Sequence, residues 1–108
     1  MELKLTSQRR DTPLELIRSG DTLTINGEAF DFSELPGGAT LPLEAIQSDW
    51  FAGDVHRIDG VLHVTLTLPH GANAPEETRF PAPMTLTGDG PVDLPPYEIE
   101  EETVDEQD

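Results

Sequence analysis

The sequence contains no cysteine, and its six lysine and arginine residues stand against 22 aspartate and glutamate residues. Without cysteine the chain forms neither disulfide bonds nor thiolate metal sites. The formal net charge of −16 repels phosphate backbones and anionic membrane surfaces. We therefore expect no nucleic-acid binding through a basic patch.

Long apolar runs are also missing. No segment approaches the ~20 apolar residues that a membrane-spanning helix needs. Residues 1–6 alternate polar and apolar side chains, which is unlike a secretory signal peptide. The sequence therefore predicts a soluble protein with no membrane partner.

A length of 108 residues suits one domain with a modest core. We predict a single β-rich domain over residues 1–97. Residues 98–108 hold seven acids and no base, a composition typical of a flexible tail. Residues 69–83 contain four prolines and are predicted to form a loop or a sheet edge, because proline cannot donate to a strand ladder.

Asn26-Gly27 is typical of a type I′ hairpin turn, because both residues tolerate a positive φ. Across this turn Leu23 faces Phe30. A preceding loop at residues 19–20 would place Leu16 opposite Leu23. Both pairings put the aliphatic and aromatic side chains of this meander on one face, as a two-residue strand period requires.

Asp59-Gly60 indicates a second hairpin of the same kind. Its register places His56 opposite His63 and Arg57 opposite Leu62. The strand that follows the turn alternates leucine and valine with polar residues up to residue 68, and Gly53 marks a bulge before the hairpin. Residues 41–46 could form one short helical turn, and residues 84–87 an edge strand.

The fold class that these patterns predict is all-β. We expect a small antiparallel sandwich or open barrel built from β-hairpins, with at most one short helical turn.

Two histidines are the candidate metal ligands. His56 and His63 are expected side by side on adjacent strands, and Asp54 lies on the same face. A closed zinc site needs four ligands, and the chain offers no convincing further ones. Two surface histidines among threonines are the simpler interpretation, so we expect no metal and no cofactor.

The sequence contains no recognisable catalytic constellation. None of its four serines lies in a nucleophile-elbow context, and Gly37-Gly38 is not followed by the residues of a phosphate loop. We therefore predict that the protein is not an enzyme.

Partner contacts are predicted in two regions. The first is the proline-stiffened loop together with Tyr97, whose proline neighbours keep it out of a sheet and favour its exposure. The second is the acidic tail, which suits a basic partner. The candidate contact residues are Pro69, His70, Pro75, Tyr97, Glu100, Glu101 and Glu102.

Three stretches resemble small uncharacterised proteins of bacteriophages and prophages that are encoded among tail genes. They are LTINGEAFDFS (residues 23–33), DGVLHV (residues 59–64) and LPHGANAP (residues 68–75). The resemblance implies a setting in the phage tail or its assembly, with other phage or host proteins as partners, but no chemistry. The protein would then act in the bacterial host cytoplasm or in the virion tail.

Three functions are compatible with these observations. The first is a non-enzymatic structural or tail-assembly protein that acts through protein–protein contacts. The second is an acidic regulator or nucleic-acid mimic that binds a basic partner. The third is a small metal-binding module at His56 and His63. A homo-oligomer is also possible, because an exposed edge strand can pair with a second copy.

Overall fold

The computed structural model describes residues 1–98 of the chain. Nine strands form in this range: β1 (Glu2–Arg9), β2 (Leu16–Ser19), β3 (Thr22–Ile25), β4 (Glu28–Asp31), β5 (Thr40–Leu41), β6 (Val55–Ile58), β7 (Val61–His70), β8 (Met84–Thr85) and β9 (Gly90–Pro91). The predicted contact residues Glu100, Glu101 and Glu102, and most of the predicted tail, lie outside the described range.

The strands form two sheets that share one hydrophobic core. The larger sheet has the order β5-β6-β7-β1-β8, and the smaller sheet has the order β4-β3-β2-β9. Buried leucine, valine, isoleucine and phenylalanine side chains from both sheets belong to a single cluster. The predicted all-β class is thus confirmed.

Both predicted type I′ turns are present. Asn26 and Gly27 have φ values of 49° and 89°, and Asp59 and Gly60 have φ values of 51° and 81°. The predicted pairs follow from these turns: Leu23 lies opposite Phe30, and His56 lies opposite His63. Local turn chemistry therefore sets the register of both hairpins.

The predicted loop at residues 19–20 is wrong by one position. Ser19 pairs with Thr22, so the turn is formed by residues 20–21, and Leu16 lies opposite Ile25 rather than Leu23. Gly20 supplies the positive φ, at 60°. The residue of β3 opposite each residue of β2 therefore differs by two positions from the predicted one. Because side chains alternate with a period of two, every side chain stays on its predicted face.

The longest ladder is parallel and was not expected from the hairpin pattern. β1 pairs with β7 from Glu2↔His63 through Arg9↔His70. Leu3 and Leu5 of β1 thereby join one buried layer with four residues of β7, namely Leu62, Val64, Leu66 and Leu68. The N-terminal strand is consequently held in the interior of the larger sheet, between β7 and β8.

The predicted proline-rich loop over residues 69–83 begins too early. Pro69 and His70 are the last residues of β7, and Pro69 is almost fully buried. The Thr67 N–H donates to Trp50 O on the side of β7 away from β1. Pro69 lies two residues after Thr67, so its nitrogen faces the same side of β7. The pairing with the segment around Trp50 has ended at that point. The missing N–H of Pro69 therefore breaks no hydrogen bond of the sheet.

A bulge lies where Gly53 predicted one. Phe51 bridges to Leu66 while His56 pairs with His63, so the four residues 52–55 lie opposite only two, residues 64 and 65. A Cβ added to Gly53 would lie 3.3 Å from Thr65 Cβ. Glycine therefore allows the bulged backbone to approach β7 closely.

Two short helical turns are present among residues 1–98. The predicted turn forms as a 3-10 helix over Leu43–Ala45, and a second turn, α1, spans Glu76–Arg79 inside the predicted loop. The predicted edge strand forms as β8 beside β1, and β9 adds an edge that was not predicted. No helix in this part of the chain is long and apolar enough to cross a membrane.

Candidate protein-contact site

One row of polar side chains crosses all five strands of the larger sheet. Its members are aligned by the pairings Thr40↔His56, His56↔His63, Glu2↔His63 and Glu2↔Thr85. Side chains of residues paired in this way lie on the same face of the sheet. The apolar neighbours in β1 and β7 point to the opposite face and are buried, so this row lies on the outer face.

Hydroxyl groups hold both ends of the row. Thr40 Oγ1 lies 2.9 Å from His56 Nδ1. At the other end, Thr85 Oγ1 donates to the two carboxylate oxygens of Glu2 at 3.0 and 3.2 Å. Because both contacts use the side chains of short edge strands, the folded sheet orients the row without any ligand.

An open groove of about 680 Å³ lies over the middle of this row, at Glu2, His56 and His63. We call it the histidine groove, after His56 and His63, which are both half-buried. Its remaining lining residues are Glu2, Leu3, Lys4, Ile58, Asp59, Val61, Val64, Thr65 and Pro83. Carboxylates, an ammonium group, imidazoles and aliphatic side chains therefore meet on one surface.

The groove has an apolar end at the β6–β7 hairpin. Ile58 is 50% exposed and Val61 is 37% exposed, and they pair directly across the ladder. Because the two residues lie side by side on adjacent strands, they form an aliphatic ridge exposed to water beside the type I′ turn. Burying such a ridge against a partner is favourable, by about 25 cal/mol for each Å² of apolar surface removed from water.

The predicted metal ligands are only partly brought together. His56 and His63 lie opposite each other, as predicted. Asp54, however, accepts the Leu43 N–H at 2.7 Å through Oδ1 and is thereby engaged by the first residue of the 3-10 turn. Within residues 1–98 no group of three or more histidine, aspartate or glutamate side chains is placed to hold a metal ion.

The predicted contact residues of the loop are less accessible than expected. Pro69 is buried, and His70 and Pro75 are half-buried. Tyr97 is also half-buried: its hydroxyl donates to Arg10 O, and its carbonyl accepts the Gly71 N–H at 3.0 Å. The prediction that Tyr97 is exposed is therefore wrong, because the exit segment folds back onto the end of β1.

The exposed aromatic residue of this region is instead Phe80, at 72% exposure. It follows α1, and the Arg79 guanidinium lies 5.9 Å from the centre of its ring. Sequence reasoning gave Phe80 no role. Its position before Pro81, in a segment with few other large apolar residues, was the available indication that no core would cover it.

Arg57 was also given no role, although it joins the two sheets. Its guanidinium donates to Leu35 O at 2.6 Å, to Phe32 O at 2.9 Å and to Asp21 Oδ2 at 3.0 Å. The predicted register of the second hairpin already indicated that Arg57 needs polar partners in the interior. It placed Arg57 opposite Leu62, on the apolar face, where a cation needs buried acceptors.

Comparison with known proteins identifies no relative: no family model, no curated protein and no solved structure matches the chain. The architecture therefore defines the class of the protein, a small two-sheet all-β domain.

Proposed function

We propose that this protein is a non-enzymatic protein-contact module that binds its partner through the histidine groove. The observation that carries the proposal is the aliphatic ridge of Ile58 and Val61, exposed by 50% and 37%, at the end of a groove of about 680 Å³. A partner that covers the ridge would remove apolar surface from water while the polar row supplies hydrogen-bonding groups for orientation.

The rigidity of this surface favours binding. The ridge stands on a two-residue turn whose Asp59 and Gly60 both have positive φ. The histidine beside it is held by Thr40 at 2.9 Å. Because these groups are already ordered, little conformational entropy is lost when a partner binds.

The proposed setting is the assembly or structure of a bacteriophage tail, with other phage or host proteins as partners. It is taken from the likeness to phage tail-gene proteins that the sequence analysis noted for residues 23–33, 59–64 and 68–75, to which no matched relative adds. The protein would act in the host cytoplasm or remain in the virion tail. The groove is a proposal about the contact surface, and the setting is a proposal about the partner.

The groove is tested with the double variant Ile58→Ser/Val61→Ser and the matched control Ile17→Ser. Ile17 is an exposed aliphatic residue on the smaller sheet, at 39% exposure. Tail complexes from a phage that carries the gene are sedimented with each purified protein. We expect the double variant to lose about tenfold in affinity, because a few apolar residues dominate most interfaces, while the control binds as the wild type does.

Equal binding by the double variant and the wild type would refute the groove as the contact surface. The setting is tested by deleting the gene and inspecting particles by electron microscopy. Normal, infectious tails in the absence of the protein would refute a tail-assembly role.

The net charge of −16 favours a second candidate, an acidic regulator or nucleic-acid mimic of a basic partner. Binding of that kind weakens steeply as salt rises, whereas a packed apolar contact changes little. A partner affinity that falls with salt and is unaffected by Ile58→Ser/Val61→Ser would favour the regulator.

A further inference from the structure

We infer that a second groove, next to α1, binds a basic segment of a partner protein. This inference goes beyond the proposed function, because it assigns a second contact surface and the chemistry of the segment that it binds. The groove has a volume of about 420 Å³, and we call it the proline groove. Its lining residues are Glu77, Ala82, Pro83, Met84, Asp93, Leu94, Pro95 and Pro96.

Two hydrogen bonds fix the segments that form the walls of the proline groove. Thr78 is fully buried, and its Oγ1 donates to Pro96 O at 2.6 Å. This bond ties α1 to the segment 93–96. Ser7 Oγ in turn donates to Arg79 O at 2.7 Å, which ties α1 to β1. The groove is therefore preformed, and its prolines have little backbone freedom to lose on binding.

The charges of the lining are of one sign. Glu77 and Asp93 are exposed carboxylates, and none of the groove's lining residues within positions 1–98 is lysine or arginine. The nearest base in the sequence, Arg79, lies over the ring of Phe80. Around the carboxylates the walls are proline, methionine and leucine. Lysine and arginine suit such a surface, because their aliphatic stems pack on apolar walls while their charged ends reach carboxylates.

Charge also decides among the possible occupants. A second copy of this chain carries the same net charge of −16 and would be repelled, as would nucleic acid or an anionic lipid surface. A protein segment in which lysine or arginine alternates with apolar residues matches both features of the groove. Pro83 lines both this groove and the histidine groove, so one partner could extend from one to the other.

The experiment measures binding of the full chain to a fluorescein-labelled peptide, Gly-Lys-Leu-Lys-Leu-Lys-Gly, by anisotropy at about 50 mM salt, where screening is weak. The test variant is Glu77→Gln/Asp93→Asn, which removes two charges and keeps the side-chain shapes. The matched control is Glu34→Gln/Glu44→Gln, which removes two exposed carboxylates elsewhere. A peptide with glutamate in place of lysine serves as the negative probe.

We expect the test variant to bind the lysine peptide about fivefold more weakly than the wild type, because two exposed ion pairs are lost. The control should change the affinity by less than about twofold, through net charge alone. Nuclear magnetic resonance shifts on adding the peptide should centre on the amides of residues 77, 84 and 94.

Equal weakening by the test and control variants would overturn the inference, because binding would then reflect diffuse charge. Equal affinity for the lysine and glutamate peptides would overturn it as well. The variant Ile58→Ser/Val61→Ser leaves these charges untouched and should bind the lysine peptide normally. Failure of the proposed histidine groove is thus distinguishable from failure of the proline groove.

Discussion

The guanidinium of Arg57 in the larger sheet lies 3.0 Å from the carboxylate of Asp21 in the smaller sheet. The Arg57 side chain is 13% exposed and that of Asp21 is 37% exposed, so the pair spans the boundary between interior and water. The same guanidinium satisfies two main-chain carbonyls, those of Phe32 and Leu35. One side chain thereby joins β6 to the β2–β3 turn and to the chain after β4.

Replacing Arg57 by alanine should destabilise the fold by about 2–4 kcal/mol, because it removes charge-assisted hydrogen bonds to two part-buried main-chain carbonyls and to Asp21. Asp21→Asn should cost only about 0.5–1 kcal/mol, since the more exposed partner is screened by water. Urea denaturation measures both free energies of unfolding. Arg9→Ala, at an exposed position of β1, is the control and should change stability little. A loss of stability no larger for Arg57→Ala than for the control would contradict the linking role of Arg57.

The turn glycines should be intolerant of a side chain. Gly27 and Gly60 have φ values of 89° and 81°, which alanine adopts only with strain. Each glycine-to-alanine substitution should therefore cost more than about 1 kcal/mol in the free energy of unfolding. Gly37 is the matched control, because its φ is not in the positive range and a Cβ there would meet no atom within 4 Å. Gly37→Ala should leave thermal stability unchanged or slightly higher, and equal losses at all three positions would refute the turn assignment.

Tyr97→Phe should loosen the exit segment without disturbing the sheets. The substitution removes the hydroxyl that donates to Arg10 O, a loss of about 1 kcal/mol. The Gly71 N–H donates to Tyr97 O, so its hydrogen exchange should accelerate in the variant. The amide of Leu66, within β7, should exchange as in the wild type. Unchanged exchange at Gly71 would show that the hydroxyl does not hold the segment.

Asp31 should titrate below its ordinary range. The Ser33 N–H donates to Asp31 Oδ1 at 2.9 Å, and this bond, followed by the Ser33 hydroxyl, lowers the pKa of Asp31 from 3.8. A lowered folded-state pKa means that the ionised carboxylate favours the fold above pH 3.8, and that this contribution is lost as the pH falls through the folded-state pKa. The carboxyl carbon resonance measures the midpoint. Ser33→Ala should raise the midpoint only in part, because the main-chain donor remains; a midpoint at or above 3.8 in the wild type would contradict the contact.

Zinc should not bind at the histidine pair. Asp54 is engaged by the Leu43 N–H, and His56 and His63 lack a third ligand among residues 1–98. Stoichiometric zinc should therefore leave the imidazole resonances of both histidines in place. A shift of both resonances at one equivalent of zinc would contradict this prediction and support the hypothesis of a metal-binding module.

Part of the candidate site could be predicted because hairpins are local. Once Asp59-Gly60 forms its turn, the pairing of His56 with His63 follows by counting along two adjacent strands. Glu2 could not be placed in the same way. It joins the row through the parallel β1–β7 ladder, which unites segments far apart in sequence and leaves no turn signature between them.

The difference between local and long-range pairing also explains the wrong predictions for Tyr97 and Pro69. Tyr97 has an extended, proline-rich context that predicts exposure, yet it docks on Arg10 and Gly71. Proline lacks an N–H, so Pro69 is predicted to lie in a loop. It nevertheless belongs to β7, because the neighbouring strand on that side has already ended and no hydrogen bond is lost. In both cases a distant segment decided the environment, and no local pattern reports that segment.

The sequence by itself determined the all-β class, the two type I′ turns, the alternation that separates core from surface, and the acidic character of the molecule. These properties depend on residues a few positions apart and on side-chain chemistry. Only the tertiary structure decided that β1 lies between β7 and β8, that Arg57 joins the sheets, and that two grooves meet at Pro83. Those features arise when remote segments pack together, because the burial of one apolar face selects among pairings that local preferences leave equally favourable.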